Sequence, residues 1–259
     1  MTLSASPKTL VPDRQFVSNL FSSLAPRYEE ALLVYSLGQD LRWKRTMIDR
    51  LPVQPGDRAL DLACGTGLVL DRLSRQLGRS SVTGLDPNRT MLTQPQRTPR
   101  LGRLVQANAE RIPFRDATFD VVTAGYLFKY VDLDLLFREV RRVLAPGGRI
   151  GGYDFSSPRR GTPVGRLYGV YLNRVLPWLG RHRGGLQVDW RQLLKFLADV
   201  AERSGWEDRI LLALKSNGFV DIRRVASLGG AITWIWARVE GSRPTHEGGL
   251  PGRRAYGSG

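Results

Sequence analysis

Residues 58–155 alternate short apolar runs with segments of helical periodicity, and this alternation constrains the fold more than any other feature of the sequence. The intervening segments, such as 68–77 and 132–144, have the spacing of amphipathic helices. Strands that alternate with helices form parallel sheets covered on both faces, so we expect an α/β domain. Five apolar runs are predicted to be strands: Arg58–Ala63, Ser81–Asp86, Arg103–Ala107, Phe119–Ala124 and Arg149–Phe155.

The regions on either side of this alternation complete the predicted architecture. The apolar residues of 16–51 have helical spacing, and two more helices are expected at 189–203 and 206–216. The last two strands, Phe219–Val225 and Ala231–Val239, are spaced like a terminal hairpin. Together with the five strands above, they predict a seven-stranded, mostly parallel sheet whose last strand is antiparallel.

The composition excludes several classes of site. Cys64 is the only cysteine, and His182 and His246 are the only histidines, so no metal site and no internal disulfide are expected. This cysteine usage fits a reducing compartment such as the cytoplasm. The longest uncharged run, 225–237, is too short to span a bilayer, and residues 1–14 have no apolar core of secretory length.

The strongest chemical signal is the segment Asp61–Gly67, at the end of the first predicted strand. Its glycines let the backbone approach a ligand closely, and ligands of open α/β sheets lie beyond the carboxyl ends of the strands. Asp86 ends the second strand, 19 residues after Gly67, where a carboxylate can accept hydrogen bonds from both ribose hydroxyls of a nucleoside. The pattern therefore predicts a cofactor that contains a nucleoside.

The surrounding residues narrow the choice of cofactor. A dinucleotide fingerprint would need a third glycine where Leu70 stands, and the sequence has no Gly-Lys-Ser/Thr phosphate loop. Asp61 opens the loop with an acidic group, which suits the amine of an amino acid better than a pyrophosphate. S-adenosylmethionine carries both a ribose and an α-amino group, so it is the predicted cofactor; a purely structural tight turn is the alternative.

At this point the sequence resembles a known family over about residues 15–240. The likeness to class I S-adenosylmethionine-dependent methyltransferases rests on Asp61–Gly67, Gly84–Pro87, Met91–Leu92, Ala107–Phe114, Phe119–Val122 and Arg142–Arg149. A narrower likeness to the ubiquinone/menaquinone C-methyltransferases rests on Leu24–Glu29, Ser36–Gly38, Trp43–Lys44, Gln106–Glu110, Asp154–Ser156 and Val175–Pro177. The resemblance implies a Rossmann-like class I methyltransferase fold with a helical substrate cover.

The same resemblance implies how the chain is divided. One methyltransferase domain is expected at 15–240, with 15–51 and 156–205 as its substrate cover. Residues 1–14 are expected to be a flexible N-terminus. The tail 241–259, rich in glycine, proline and arginine, is expected to be disordered.

The resemblance also implies roles for the cofactor-binding residues. Asp86 would hold the ribose, while Thr66 and the loop glycines would contact the methionine part. Asn108 and Ala109 would frame the adenine, with Met91 packed on its face. The full predicted set is Asp61, Ala63, Gly65, Thr66, Gly67, Asp86, Met91, Asn108, Ala109 and Gly125.

The acceptor site departs from the family pattern. After the fourth strand the family usually has Gly-Leu-Arg-Asn-Val, whereas residues 127–131 read Leu-Phe-Lys-Tyr-Val. In the family, the position of Lys129 contacts the substrate. Because lysine cannot present the bidentate fork of arginine, the change is not neutral at such a position. The predicted catalytic residues are Lys129, which would stabilise a developing oxyanion, and Tyr28 and Asp154, which would orient or deprotonate the acceptor.

The resemblance favours C-methylation of a prenylated quinol, a lipophilic small molecule, and three alternatives remain open. They are methylation of a phospholipid amine or small natural product, methylation of RNA, and cofactor binding without transfer. The net charge of +15 favours a polyanionic partner, either nucleic acid or an anionic membrane surface, although arginine-rich codon usage also explains it. RNA is disfavoured because no appended RNA-binding module is evident.

A basic segment favours the membrane as that partner. Residues 155–188 hold six arginines and no acidic residue, with aromatic residues among them. A helix of this composition could cover a prenylated substrate and rest on anionic lipid headgroups. We therefore expect a peripheral location on the inner face of the membrane, and an oligomer is compatible with the sequence.

Overall fold

Seven strands form one sheet in the part of the chain that the computed structural model describes, which is residues 12–94, 102–156, 163–175, 178, 196, 200, 204–227 and 230–241. The strands are β1 (Ala59–Leu62), β2 (Val82–Asp86), β3 (Arg103–Gln106), β4 (Phe119–Gly125), β5 (Leu144–Phe155), β6 (Phe219–Ser227) and β7 (Ile232–Val239). The helices are α1 (Arg14–Leu24), α2 (Tyr28–Tyr35), α3 (Asp40–Asp49), α4 (Leu68–Leu77), α5 (Arg89–Leu92), α6 (Leu133–Val143), α7 (Pro163–Val170) and α8 (Trp206–Ser216).

The sheet confirms the predicted topology. Its strand order is β3-β2-β1-β4-β5-β7-β6, with parallel pairing from β3 through β5. β7 runs antiparallel to both β5 and β6, as predicted for the last strand. Because the chain moves outward from β1 to β3 and then returns to β4, the crevice beyond the carboxyl ends of β1 and β4 is the topological switch point. Ligands of open α/β sheets bind at this point.

Helices cover both faces of the sheet. On one face, residues of α6 and α8 share an apolar cluster with Leu60 and Leu62 of β1. On the other face, α3 and α4 pack with Ala59 and Val121. In α6 the buried residues recur at helical spacing, and Asp132 caps the helix by accepting hydrogen bonds from the N–H groups of its first turn. The sheet is therefore packed between two apolar layers, which fix the position of the carboxyl ends of its strands.

Two tryptophans of β7 hold α3 on the sheet. The Trp234 indole donates a hydrogen bond to the carbonyl of Trp43 at 3.3 Å, and the Trp236 indole donates to the carbonyl of Met47 at 3.1 Å. The Met47 carbonyl lies in the last turn of α3, where carbonyl groups have no partner within the helix. These bonds fix α3, which belongs to the predicted substrate cover, relative to the switch point.

One predicted boundary is wrong, and several predicted segments lie outside the described residues. β5 begins at Leu144, five residues before the predicted start, because Leu144 already pairs with Phe119 before the register shifts. The predicted helix at 189–203 lies outside the described residues except for positions 196 and 200, as do residues 1–11 and 242–259 of the two predicted termini. Among the described residues, no helix has both the length and the apolar character that a bilayer crossing requires.

Two neighbouring leucines of α6 give a matched test of this packing. Leu136 is fully buried, whereas Leu135 is 41% exposed. We expect Leu136→Ala to lower the free energy of unfolding by about 2–5 kcal/mol, because it leaves a cavity in the core. Leu135→Ala should change it by less than about 0.5 kcal/mol. Denaturant unfolding followed by circular dichroism measures both, and equal effects would contradict the assignment of the core face.

Candidate functional site

The loop after β1 turns sharply at the switch point. Ala63, Gly65 and Gly67 all have positive φ, at 52°, 55° and 89°. A Cβ atom on Gly65 would lie 3.3 Å from Cε of Met91, so the loop backbone is close to that side chain. Gly67 is the N-cap of α4 and donates its N–H to the carbonyl of Cys64 at 2.9 Å. The loop therefore presents backbone rather than side chains to the space above the strands.

Asp86 joins this loop to the next one. It ends β2, is 6% exposed, and accepts hydrogen bonds from the N–H of Gly65 at 2.9 Å and of Asn88 at 2.8 Å. Burial raises the pKa of Asp86 to about 6, while the two backbone hydrogen bonds act in the opposite direction. Asn88 in turn caps α5 by accepting from the N–H of Met91 at 3.1 Å. One carboxylate thus holds two loops and, through Asn88, the position of Met91.

These loops border a cavity with about 960 Å³ of empty space, part of it open to solvent. Seven of the ten predicted cofactor-binding residues line it: Ala63, Gly65, Asp86, Met91, Asn108, Ala109 and Gly125. Tyr28, a predicted catalytic residue, lines it as well. We call this space the cofactor cavity.

The other three predicted residues, Asp61, Thr66 and Gly67, are not among those that line the cofactor cavity. Asp61 is 2% exposed and accepts a hydrogen bond from the hydroxyl of Thr123 at 2.6 Å, which ties β1 to β4. Burial raises its pKa to about 7, while the Thr123 hydrogen bond and the charge of Lys44 lower it. The structure thus places Asp61 beneath the loop, as a link between two central strands.

One wall of the cofactor cavity was missed in the sequence. α1 contributes Arg14, Val17, Ser18 and Phe21 to the lining. The Arg14 guanidinium pairs with the carboxylate of Glu110, which also accepts a hydrogen bond from the N–H of Asp132 at 2.8 Å. Glu110 belongs to Gln106–Glu110, one of the segments on which the family resemblance rests, and this is the sequence signal that could have identified it as a site residue. No sequence pattern indicates that α1 contacts Glu110.

A second cavity adjoins the first and is mostly aromatic and aliphatic. It has about 510 Å³ of empty space, part of it open to solvent. Its lining residues are Phe21, Leu24, Tyr28, Ala31, Leu32, Tyr35, Tyr126, Lys129, Tyr130 and Phe155. Phe21, Tyr28, Tyr126 and Tyr130 line both cavities, so the two spaces share a wall. We call this second space the acceptor cavity.

Lys129 brings a charge into the acceptor cavity. It is 2% exposed, and its ammonium donates a hydrogen bond to Asp154, which is fully buried. The ammonium also lies 4.7 Å from the centroid of the Tyr130 ring and 5.7 Å from that of Phe155. Burial lowers the pKa of Lys129 and raises that of Asp154, and the attraction between the two charges opposes both effects. Two of the predicted catalytic residues are therefore partners, and Asp154 reaches the cavity only through Lys129.

The comparisons with known proteins agree with one another. Residues 8–238 match the model of the ubiE/COQ5 methyltransferase family. The chain is 31% identical to a demethylmenaquinone methyltransferase of Lactobacillus johnsonii over 86% of this chain and 91% of that protein. It is 34% identical to the ubiquinone/menaquinone biosynthesis C-methyltransferase UbiE of Haemophilus ducreyi over 81% and 82% of the two chains.

Solved structures support the fold. A methyltransferase of Thermotoga maritima, described as a possible histamine N-methyltransferase, is similar with a TM-score of 0.55 and 15% identity over 86% of this chain and 99% of that one. The cyclase SpnF is similar with a TM-score of 0.59 and 16% identity over 90% and 98% of the two chains. Because a cyclase shares the architecture, the fold alone does not define the activity.

The role of Asp86 can be tested by ligand binding. We expect Asp86→Asn to weaken the binding of S-adenosylhomocysteine by about 1–3 kcal/mol, because it replaces a buried carboxylate acceptor. As the pH falls from 8 through about 6, the wild-type protein should also lose affinity, since Asp86 takes up a proton and accepts hydrogen bonds less well. The variant should lack the part of this dependence near pH 6, and any part that remains would reflect groups such as Asp61.

Isothermal titration calorimetry between pH 5 and pH 8 measures both effects. Asp221→Asn, at an aspartate that is exposed on β6, is the matched control and should bind like the wild type at every pH. Unchanged affinity of Asp86→Asn at pH 8 would refute the assignment of Asp86 to the cofactor.

Proposed function

The chain belongs to the ubiE/COQ5 methyltransferase family, and from this premise we propose that it transfers a methyl group from S-adenosylmethionine to a ring carbon of a prenylated quinol. Family membership confirms the predicted methyltransferase class, its Rossmann-like fold and its methyl donor. The quinol is supported by the relatives, which are named for menaquinone or ubiquinone biosynthesis. The observation that carries the proposal is the acceptor cavity, which is aromatic and aliphatic apart from the ammonium of Lys129.

The cofactor cavity fits S-adenosylmethionine. Gly65, Asp86 and Met91 all line it, and a Cβ atom on Gly65 would lie 3.3 Å from Cε of Met91, so a larger residue would crowd this wall. Asp86 would hold the ribose, and Asn108 and Ala109 would border the adenine. When bound, the cofactor supplies an electrophilic methyl carbon on its sulfonium. The chain must then place a nucleophilic carbon in line with it, and most of the acceleration can come from that placement.

The acceptor cavity suits a quinol ring and the start of its isoprenoid tail. Aromatic rings such as Tyr126, Tyr130 and Phe155 can pack on a quinol ring, and the α2 residues Ala31 and Leu32 offer an apolar surface. A quinol carbon becomes nucleophilic when the neighbouring phenol loses its proton to solvent, and once methylated that carbon must release its own proton to solvent so that the ring becomes aromatic again. The buried ammonium of Lys129 favours the resulting phenolate, and Asp154 holds that ammonium in place.

The function of Lys129 can be tested with demethylmenaquinol as the acceptor. We expect Lys129→Met to lower kcat about 100-fold, because the phenolate loses its cationic partner, while the affinity for S-adenosylhomocysteine stays within twofold. Lys215→Met, at an exposed lysine of α8, is the matched control and should retain full activity. Methylated product is measured by mass spectrometry.

The single variant leaves Asp154 buried without its partner, which is destabilising. The double variant Lys129→Met/Asp154→Asn removes both charges and should fold while remaining inactive. Full activity of either variant would contradict the proposed role. Methylation of phosphatidylethanolamine but not of demethylmenaquinol by the wild-type protein would instead favour the phospholipid alternative.

We further propose that the protein works at an anionic membrane surface. The region of α7 and the turn Tyr171–Val175 exposes apolar side chains, with Leu167 72% and Val170 50% exposed, beside the exposed Arg166 and Arg174. The Tyr171 hydroxyl donates to the carbonyls of two residues at the end of α2, at 3.1 and 3.0 Å. Because α2 lines the acceptor cavity, an isoprenoid tail could run from that cavity toward lipid beneath this surface.

Membrane binding can be tested with two leucines of similar exposure. We expect the protein to bind vesicles of phosphatidylglycerol but not of phosphatidylcholine, and to dissociate as the salt concentration rises, since Arg166 and Arg174 attract anionic headgroups. Leu167→Glu should weaken this binding at least tenfold. Leu212→Glu, at a leucine of α8 that is 68% exposed, should not. Sedimentation with the vesicles measures binding, and equal binding to neutral vesicles would refute the proposal.

A further inference from the structure

Asp40 is a buried carboxylate that lies outside both cavities. It begins α3, is 4% exposed and is absent from the lining of either cavity. One carboxylate oxygen accepts a hydrogen bond from the hydroxyl of Tyr126 at 2.7 Å, and the other accepts from the ammonium of Lys44. The N–H of Asp40 donates to the hydroxyl of Ser36 at 3.1 Å. Asp40 therefore connects the start of α3 to Tyr126, 86 positions later in the chain.

Tyr126 occupies a constrained position between the cavities. It follows β4 with a φ of 58°, a conformation that costs energy for any residue other than glycine. Its N–H donates to the carbonyl of Tyr153 at 2.9 Å, and its ring stacks on Phe155 at a centroid distance of 4.7 Å and an angle of 19°. The ring lines both the cofactor cavity and the acceptor cavity. Any rotation of this ring would change the wall that the two cavities share.

We propose that Asp40 is a positioning residue, which fixes the Tyr126 ring between the cofactor and acceptor cavities through the Tyr126 hydroxyl. A hydrogen bond to a carboxylate is about twice as strong as one between neutral groups, so it can hold the ring against thermal rotation. The expected consequence is alignment of the acceptor, because small displacements of a reacting carbon cost large factors in rate.

Lys44 places a positive charge beside the buried Asp40. Its side chain is 12% exposed, and its ammonium lies 5.7 Å from the centroid of the Tyr126 ring. A buried carboxylate needs a compensating charge, and the pair of Lys44 and Asp40 has no net charge. Lys44 and Asp40 thus form a neutral brace beside Tyr126, and Lys129 pairs separately with Asp154.

The proposal rests on the proposed function, and a kinetic double-mutant cycle with demethylmenaquinol tests it. We expect Asp40→Asn and Tyr126→Phe each to lower kcat about tenfold, with the affinity for S-adenosylhomocysteine within twofold of the wild type. If Asp40 acts through Tyr126, the double variant should be no slower than either single variant. Asp49→Asn, at the exposed far end of α3, is the control. It should leave kcat within twofold both in the wild-type protein and in the Tyr126→Phe variant.

The outcomes separate the two proposals. If the wild-type protein does not methylate demethylmenaquinol, the quinol is refuted as acceptor, but the contact between Asp40 and Tyr126 is not. The unfolding midpoints of the two single variants and the double variant in denaturant then test that contact. A coupling between Asp40 and Tyr126 in those midpoints supports the brace, and independent effects overturn it. If the wild-type protein is active, either of two results overturns the positioning role of Asp40. One is a double variant whose kcat is about 100-fold below that of the wild type, and the other is an unchanged kcat in Tyr126→Phe. Tyr126→Phe alone gives this answer if Asp40→Asn does not fold.

Discussion

The carboxylate of Asp86 is the contact on which the geometry of the site depends. It accepts one hydrogen bond from the loop after β1 and one from the loop after β2, at Gly65 and Asn88. Both loops lie beyond the carboxyl ends of neighbouring parallel strands, where no strand continues to fix them. Without this carboxylate, the two backbone N–H groups would lose their acceptor, and the edge of the cofactor cavity would lose its shape. The residue that we propose to hold the ribose is thus also the one that joins the two loops.

Buried charges form two separate pairs around the acceptor cavity. Lys129 pairs with Asp154, and Lys44 pairs with Asp40. A buried ion pair seldom stabilises a fold more than apolar residues of the same size, because each charge loses its hydration. Two such pairs beside an aromatic cavity are therefore better explained by chemistry than by stability. In this account, Lys129 acts on the acceptor directly, and Asp40 acts on the wall beside it.

The sequence was sufficient for the sheet, and seven of the ten predicted cofactor-binding residues line the cofactor cavity, because both depend on local patterns. Strand periodicity, a glycine loop and an acidic strand end are signals that lie within a few residues of one another. Asp61, Thr66 and Gly67 do not line the cavity, and for Asp61 the reason is that its carboxylate bonds to Thr123 beneath the loop.

Contacts between distant residues could not be predicted in the same way. Arg14 meets Glu110 across 96 positions, and Tyr126 meets Asp40 across 86. Lys129 and Asp154 were each singled out for chemistry, but only the packing of β5 against the turn after β4 shows that they are partners. Side-chain pairing depends on which elements pack together, and a single sequence carries no local signal for it.

The proposed function requires a quinol ring in the acceptor cavity beside the methyl donor. The most direct measurement is the quinone profile, by mass spectrometry, of cells that lack this protein. We expect the demethylated quinone to accumulate, and the methylated quinone to return when the wild-type chain is supplied. A normal profile in the deleted cells would refute the quinol as acceptor, because some other molecule would then have to fill that cavity.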